Sequence, residues 1–541
     1  MSENQEIQTK KPIQKLIQIF TERGKNDSNI AKIKVSDMIS KVAFFYEKIR
    51  NIVDYREEYL LRKGAVERII KRKLLIEGKL AIEPQKEIDI AQSLIFELIR
   101  GVYLPNNAIP ETKIEEVANI LIKYAALKKK LNKQYGYKQI KKTHKWLISL
   151  MACEIEEKLV PPTREKALAD TMYKLMNPLI IFEGKETIDE QEKNTQIYLA
   201  VYRNLLKYDP ILIDYLLLKL YWPEWPQADD KYLEQITTNI KNTRQAIEAQ
   251  KKHKLSDKLN KIFKKYSFVF IVLRDVINNN PDNIENILRN PKLLEEKINK
   301  ICNKTYKDTK IKLRRSIGRS IAYIFITKMA LALAIEVPFD LYVAHQLHYL
   351  SLGINILFHP LLLLFIALTT RIPEEKNTKI VTNSLKMIIY EQPETQVKYR
   401  VKLPAKRGGI LQAVFTLIYA LTFVISFGIL IYILNKLQFS ILSMLLFVFF
   451  LSIVSFFATR IRKSIKEIIV VKKKENIFTA LADFFFTPIV HAGHWLSVNF
   501  SKINLFVFIM DMIIEAPFKL IIDVSEQWFA FVKEKKEELE P

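Results

Sequence analysis

The chain has 541 residues, 84 Lys+Arg against 59 Asp+Glu for a formal net charge of +25, 49% hydrophobic and 26% charged side chains, and only 12 glycines. Such a length allows more than one domain, and the glycines complete neither G-x-G-x-x-G, G-x-x-x-x-G-K-S/T nor G-x-S-x-G, which disfavours nucleotide-binding and nucleophile-elbow enzymes. Cys153 and Cys302 are too few for a disulfide framework or a structural zinc site, and they suit a reducing compartment.

The opening MSENQEIQTKKPIQKLIQIF lacks the order of a secretory signal, so the first three hundred residues are expected to stay in the cytoplasm. From Gln14 to about Lys300 apolar residues recur at helical spacing, as in Met38, Val42, Phe45, Ile49 and Ile52. Pro84, the stretch 104–110, Pro161 with Pro162, Pro210 and the stretch 223–226 punctuate the pattern, which predicts eight to eleven amphipathic helices. No alternating run is long enough to argue for a sheet. Residues 1–310 therefore read as a cytoplasmic all-α domain.

Two basic stretches with interleaved aromatics lie inside it, 128–145 and 251–265. Lys128, Lys129, Lys130, Lys141, Lys142, Lys251, Lys252, Lys264 and Lys265 are the residues expected to meet an anionic surface, with lipid favoured over RNA. The competing reading is an ordinary solvated helix face.

Near Ile321 the composition changes, and residues 311–541 read as a polytopic α-helical membrane domain. Six spans in three hairpins are expected, at about 321–343, 351–370, 411–434, 437–459, 478–498 and 503–522. Lys304, Lys307, Lys310, Lys312, Arg314, Arg315 and Arg319 precede the first span, and the loops 371–409 and 460–476 are also basic. The alternate loops hold only Lys436 and Lys502. The positive-inside rule then places both termini in the cytoplasm, in a plasma or inner membrane. The short NKLQFS turn makes spans three and four antiparallel neighbours.

Two constellations carry possible chemistry. Lys328, Glu336, Asp340, Asp511 and Glu515 are charged residues inside spans, where each costs about 2.5–3.5 kcal/mol on insertion scales unless paired or facing water. They form an intramembrane polar pathway for an ion or proton, or else Lys328 snorkels to the interface and the acids pair locally. Kinks are expected at Pro338 and Pro517, which follow the similar stretches Ile335–Phe339 and Ile514–Phe518. His345 with His348, and His491 with His494, form two H-x-x-H pairs that suit a transition metal if a carboxylate such as Asp340 or Asp483 completes the shell.

Taken together these features favour a membrane-anchored scaffold or assembly protein without a cofactor, whose helical domain binds a cytoplasmic protein partner or anionic lipid. Nucleic acid is disfavoured. A transporter or channel using Glu336 and Glu515 is the second reading, and a metal-dependent membrane enzyme the third.

Overall fold

The computed structural model describes residues 9–22, 31–35, 47, 58–76, 84–183, 189–343, 345, 348–370, 372–390, 398–402, 409–470, 477–502 and a few positions between 524 and 535. The described chain is almost entirely helical and divides into two compact units.

One unit comprises Gln18–Pro178 and Lys185–Asn260. Helix α1 (Lys11–Thr21) enters it at its C-terminal end, and α2 (Glu58–Ile76), α3 (Pro84–Arg100), α4 (Thr112–Tyr135), α5 (Tyr137–Leu159), α6 (Thr163–Met176), α7 (Glu190–Asn204), α8 (Pro210–Tyr221) and α9 (Asp230–Lys251) follow. Their boundaries are written in local chemistry. The Asp209 carboxylate accepts from the Ile211 and Leu212 N–H groups and Pro210 opens α8, while Asp229 caps α9 through Tyr232 N–H. Gly136, at φ 74°, separates α4 from α5 in a conformation that any Cβ would strain. The helices bury Leu94, Leu98, Leu121, Leu127, Leu150 and Trp225.

The other unit comprises 1–17, 179–184 and 261–504. It holds strand β1 (Ile180–Glu183), most of α10 (Ser256–Asn279), α11 (Ile284–Arg289) and α12 (Pro291–Leu331), a 41-residue helix that runs unbroken through position 310. A π-helical turn (Ala332–Glu336) leads into α13 (Val337–Tyr342), followed by α14 (Tyr349–Thr369), α15 (Glu375–Ile389), strand β2 (Tyr399–Lys402), α16 (Gly409–Lys436), α17 (Ile441–Ile468) and α18 (Ile477–Lys502). The two strands pair in parallel from Ile180↔Tyr399 to Glu183↔Lys402. The sequence reading expected no sheet, because four residues are too few to show alternation and their partner lies more than two hundred residues away.

Four stretches are helices long and apolar enough to cross a membrane: Pro291–Tyr342, Tyr349–Thr369, Gly409–Lys436 and Ile441–Ile468. This is fewer than the six expected. Helix α18 covers the fifth predicted span but carries Asp483, Pro488, His491 and His494 and is not among them, and the sixth, 503–522, lies outside the described residues. The four helices leave large apolar side chains exposed along their length, with Leu333 64%, Phe365 64% and Leu417 63% exposed. A water-soluble fold rarely leaves apolar patches that large open.

Inside the bundle, Ile324, Leu363, Val454 and Ala458 bring α12, α14 and α17 together, and Leu434, Phe447, Leu451 and Ile489 join α16, α17 and α18. The α16–α17 hairpin expected from its short turn is present, but its two arms touch sparsely because α18 packs against both. Gly493 makes that packing possible, since a Cβ there would lie 1.9 Å from the Ser452 carbonyl oxygen. Helix α15, in the basic loop 371–409, is held by Asn377. Its Nδ2 donates to Tyr306 Oη and to Ile468 O, both at 2.8 Å, and its Oδ1 accepts from Val470 N–H at 2.7 Å.

Candidate functional site: a polar cluster among the apolar helices

Six polar side chains on α12, the π turn, α13, α14 and α17 are withdrawn from both lipid and water. Lys328 and Glu336 are each 2% exposed, Asp340 5%, Asn355 and His359 0%, and Ser443 1%. Asn355 is the hub. Its Oδ1 accepts from Lys328 Nζ at 2.5 Å, and its Nδ2 donates to Glu336 Oε1 at 2.7 Å. An ammonium on one side and a carboxylate on the other fix which end of the amide is oxygen. Ser443 Oγ donates to the same Glu336 oxygen, and Ser440 Oγ, which caps α17, donates to Ser443 Oγ at 3.0 Å. The Lys328 ammonium also lies 4.6 Å from the centre of the Phe450 ring, a cation–π distance.

His359 lies one turn beyond Asn355. Its Nδ1 is 3.2 Å from Asn355 O and its Nε2 3.1 Å from Phe447 O, so a neutral ring donates to one carbonyl and only the cation donates to both. Pro360 follows it inside α14 and, having no N–H, leaves the turn before it short of a donor.

The π turn sets the register. In a regular α-helix each residue advances about 100°, so Lys328 and Glu336, eight apart, would stand about 80° from each other, and Lys328 and Asp340 about 120° apart. One residue's widening reduces the effective spacings to seven and eleven, which brings both acids to within about 20° of the lysine. Pro338 supplies the cause: in an α-helix its ring would meet the Ala334 carbonyl, and the wider turn, Ala332–Glu336, contains that residue and ends two residues before the proline. The kink expected at Pro338 is thus a widening of the helix.

Lys328 does not snorkel to an interface; it points inward to Asn355. Asp511 and Glu515 lie outside the described residues. The histidine pairs do not join the cluster through any described side chain. His345 is exposed at a backbone φ of 52° and His348 is half-buried. His491 is exposed beside Tyr419 and Phe423, and its ring centre is 6.4 Å from that of His494, which packs on Phe456 at 5.1 Å. The Asp483 side chain is outside the described set, and among the described residues no three His, Cys, Asp or Glu side chains form a group able to hold a metal. Asn355, His359 and Ser443 escaped the sequence reading, which weighed charged residues in the spans and passed over uncharged polar ones. An asparagine midway along an apolar helix was the available signal.

The basic stretches divide between structural and exposed lysines. Lys130 Nζ is 2.9 Å from Asp230 Oδ2, and Lys251 Nζ is 2.7 Å from Asp214 Oδ1 and 2.8 Å from Glu248 Oε1. Lys129, Lys141, Lys142 and Lys252 are exposed, Lys128 is half-buried, and Lys264 and Lys265 are half-buried on α10. The same unit as Lys130 is braced by charges turned inward. Arg62 donates to Glu156 Oε1 through Nε at 3.1 Å and Nη2 at 2.7 Å, where burial holds the Glu156 carboxyl above its usual range against the pull of Arg62. Lys123 Nζ lies 2.5 Å from Glu154 Oε1, and Trp225 Nε1 donates to Glu154 Oε2 at 2.8 Å. Burial lowers the Lys123 ammonium's pKa, and Glu154 opposes that shift.

Compared with protein-family models, curated proteins and solved structures, the chain matches none of them.

Proposed function

We propose that this is an integral membrane protein that acts as a scaffold or assembly platform, its apolar helices anchoring a rigid helical unit that docks a cytoplasmic protein partner or anionic lipid. In this reading the membrane part has up to six spans, with residues 478–498 and 503–522 as the last two, both termini are cytoplasmic, and the membrane is a plasma or inner membrane. The observation that carries it is one chain joining four bilayer-length apolar helices to a unit whose buried cations and carboxylates are spent on each other, as in Arg62–Glu156 and Lys123–Glu154. Such pairs favour one fixed arrangement of helices over loose packing. The exposed Lys129, Lys141, Lys142 and Lys252 are its proposed contacts.

The test is site-directed photocrosslinking in intact cells from positions 129, 141 and 252, after alkaline carbonate washing has shown the chain to stay in the membrane pellet. Discrete adducts to one protein or to lipid, lost on Lys→Glu exchange at 141 and 142, are expected. Release of the chain by carbonate, or protease access to the basic connectors on both faces of the membrane, would refute the anchoring half of the reading.

The joining of Lys328, Glu336, Asn355 and Ser443 in one network favours a second reading, an ion- or proton-coupled transporter or channel. Flux through liposomes containing the purified chain, abolished by Glu336→Gln, would select it over the scaffold.

A further inference from the structure

The buried network does not balance its charges. Lys328 and Glu336 are joined through Asn355 and cancel. Asp340 is 5% exposed and its Oδ1 is buried with no hydrogen-bond partner among the described residues. The π turn sets it on the same face as Lys328 and Glu336, one turn beyond the glutamate. Among the described side chains hydrogen-bonded along that face Lys328 is the one lysine or arginine, and Lys436, at the end of α16, is exposed against the Tyr432 ring. On α14 the others are Asn355 and His359, whose ring in its neutral form donates to one of the two carbonyls beside it, and on α17 the hydroxyls of Ser440 and Ser443. The charges of α17, Arg460, Arg462, Lys463, Lys466 and Glu467, sit at the opposite end of that helix, about 25 Å or more from Ser443 at 1.5 Å per residue. An acid buried in an apolar bundle without a counter-charge takes up a positive charge from outside.

We propose that Asp340 is the site at which the membrane helices bind a single monovalent cation, a sodium ion or a proton, with the Lys328–Asn355–Glu336 chain as its fixed neighbour. Asp340 lies two residues from Tyr342, the end of α13, about 3 Å along the helix axis. A hydrated divalent ion is disfavoured, since the face supplies one uncompensated carboxylate and octahedral or larger oxygen shells need more. The inference concerns binding alone, and it holds whether the protein is a scaffold or moves the ion.

The experiment uses the full chain in lipid nanodiscs and dicyclohexylcarbodiimide, which reacts with protonated carboxyls in apolar surroundings, read by peptide mass spectrometry at 340 and 336. Sodium titration at fixed pH is one arm and a pH series without sodium, balanced with a bulky organic cation, is the other. Labelling at Asp340 suppressed by sodium selects sodium ion. Labelling that falls as pH rises and ignores sodium selects the proton. Either result supports the site, and Asp340→Asn is expected to remove the adduct while Glu336 stays unlabelled. To separate this from a folding defect, the Asp340→Asn chain must keep the wild-type circular dichroism. No adduct at Asp340 under any condition, with a control carboxyl in the same lipid labelled, overturns the proposal, as does labelling unaffected by both sodium and pH.

Discussion

The bridged pair in the membrane bundle makes a quantitative prediction about coupling. Lys328→Met removes the ammonium that donates to Asn355 at 2.5 Å, and leaves Glu336 as a buried carboxylate held only by neutral donors. Glu336→Gln does the reverse and leaves the ammonium uncompensated. Removing one member of a buried ion pair costs about 3–5 kcal/mol, whereas replacing both by neutral groups of similar volume is often close to neutral. The two single variants therefore sum to about 6–10 kcal/mol, against roughly 0–2 for the double variant. A coupling of at least about 4 kcal/mol is expected. The assay is reversible unfolding of the full chain in mixed detergent micelles, followed by circular dichroism as the denaturing detergent fraction rises. If the double variant loses as much as the two singles added together, the side chains act independently and the Asn355 bridge carries no energy.

Pro338→Ala should let the π turn close to regular α-helix and rotate Glu336 and Asp340 by about 100°, to about 80° and 120° from Lys328, with a stability loss in the same assay comparable to that of Glu336→Gln. A gain of stability would show that the turn does not depend on the proline. Gly493→Ala forces a methyl to 1.9 Å from the Ser452 carbonyl oxygen and 2.9 Å from Phe456 Cβ, so it should cost at least about 1–3 kcal/mol. Gly353→Ala, with nothing within 4 Å, should be neutral or stabilising by up to about 1 kcal/mol; equal midpoints for the two variants would count against the close helix crossing. Burial lowers the Lys123 pKa from 10.5, so the unfolded chain binds more protons there and stability rises with pH through that window. Glu154→Gln removes the opposing charge, so it should cost about 3–5 kcal/mol near neutral pH, with a deficit that shrinks as pH climbs; a deficit constant with pH would remove Lys123 from the account. Cys153 and Cys302 are both fully buried, and burial pushes the Cys153 thiol well up, so neither should react with maleimide until the chain unfolds.

Helix boundaries were legible where prolines act locally: Pro84 and Pro210 each open a helix where the chain carries them, whereas Pro291, which opens α12, was not read as a break. The apolar helices were legible for the same reason, since twenty uncharged residues need no partner to declare themselves. What depends on distant partners was not. The β1–β2 pair joins segments that share no periodicity, and the intervention of α18 between α16 and α17 rests on a glycine whose meaning appears only beside Ser452. The lysines of the basic stretches look alike in sequence, yet Lys130 and Lys251 meet carboxylates while Lys141 and Lys142 face outward, and only the fold assigns them.

The polar cluster was half legible, and the missing half is a matter of helical phase. Counted as a plain α-helix, Lys328, Glu336 and Asp340 spread over about 120° of the helix surface, which reads as three separate charges with three separate insertion costs. With the π turn they share one stripe, and a single asparagine from α14 answers two of them. The same local defect that a proline imposes therefore turns three unfavourable residues into one buried network. The stripe's remaining carboxylate follows from that rotation: without the widened turn Asp340 would face lipid or a neighbouring helix, and with it the acid is enclosed beside a pair that has already cancelled. That its Oδ1 meets no hydrogen-bond partner among the described residues is then a property of the helix geometry, independent of whether the chain transports anything.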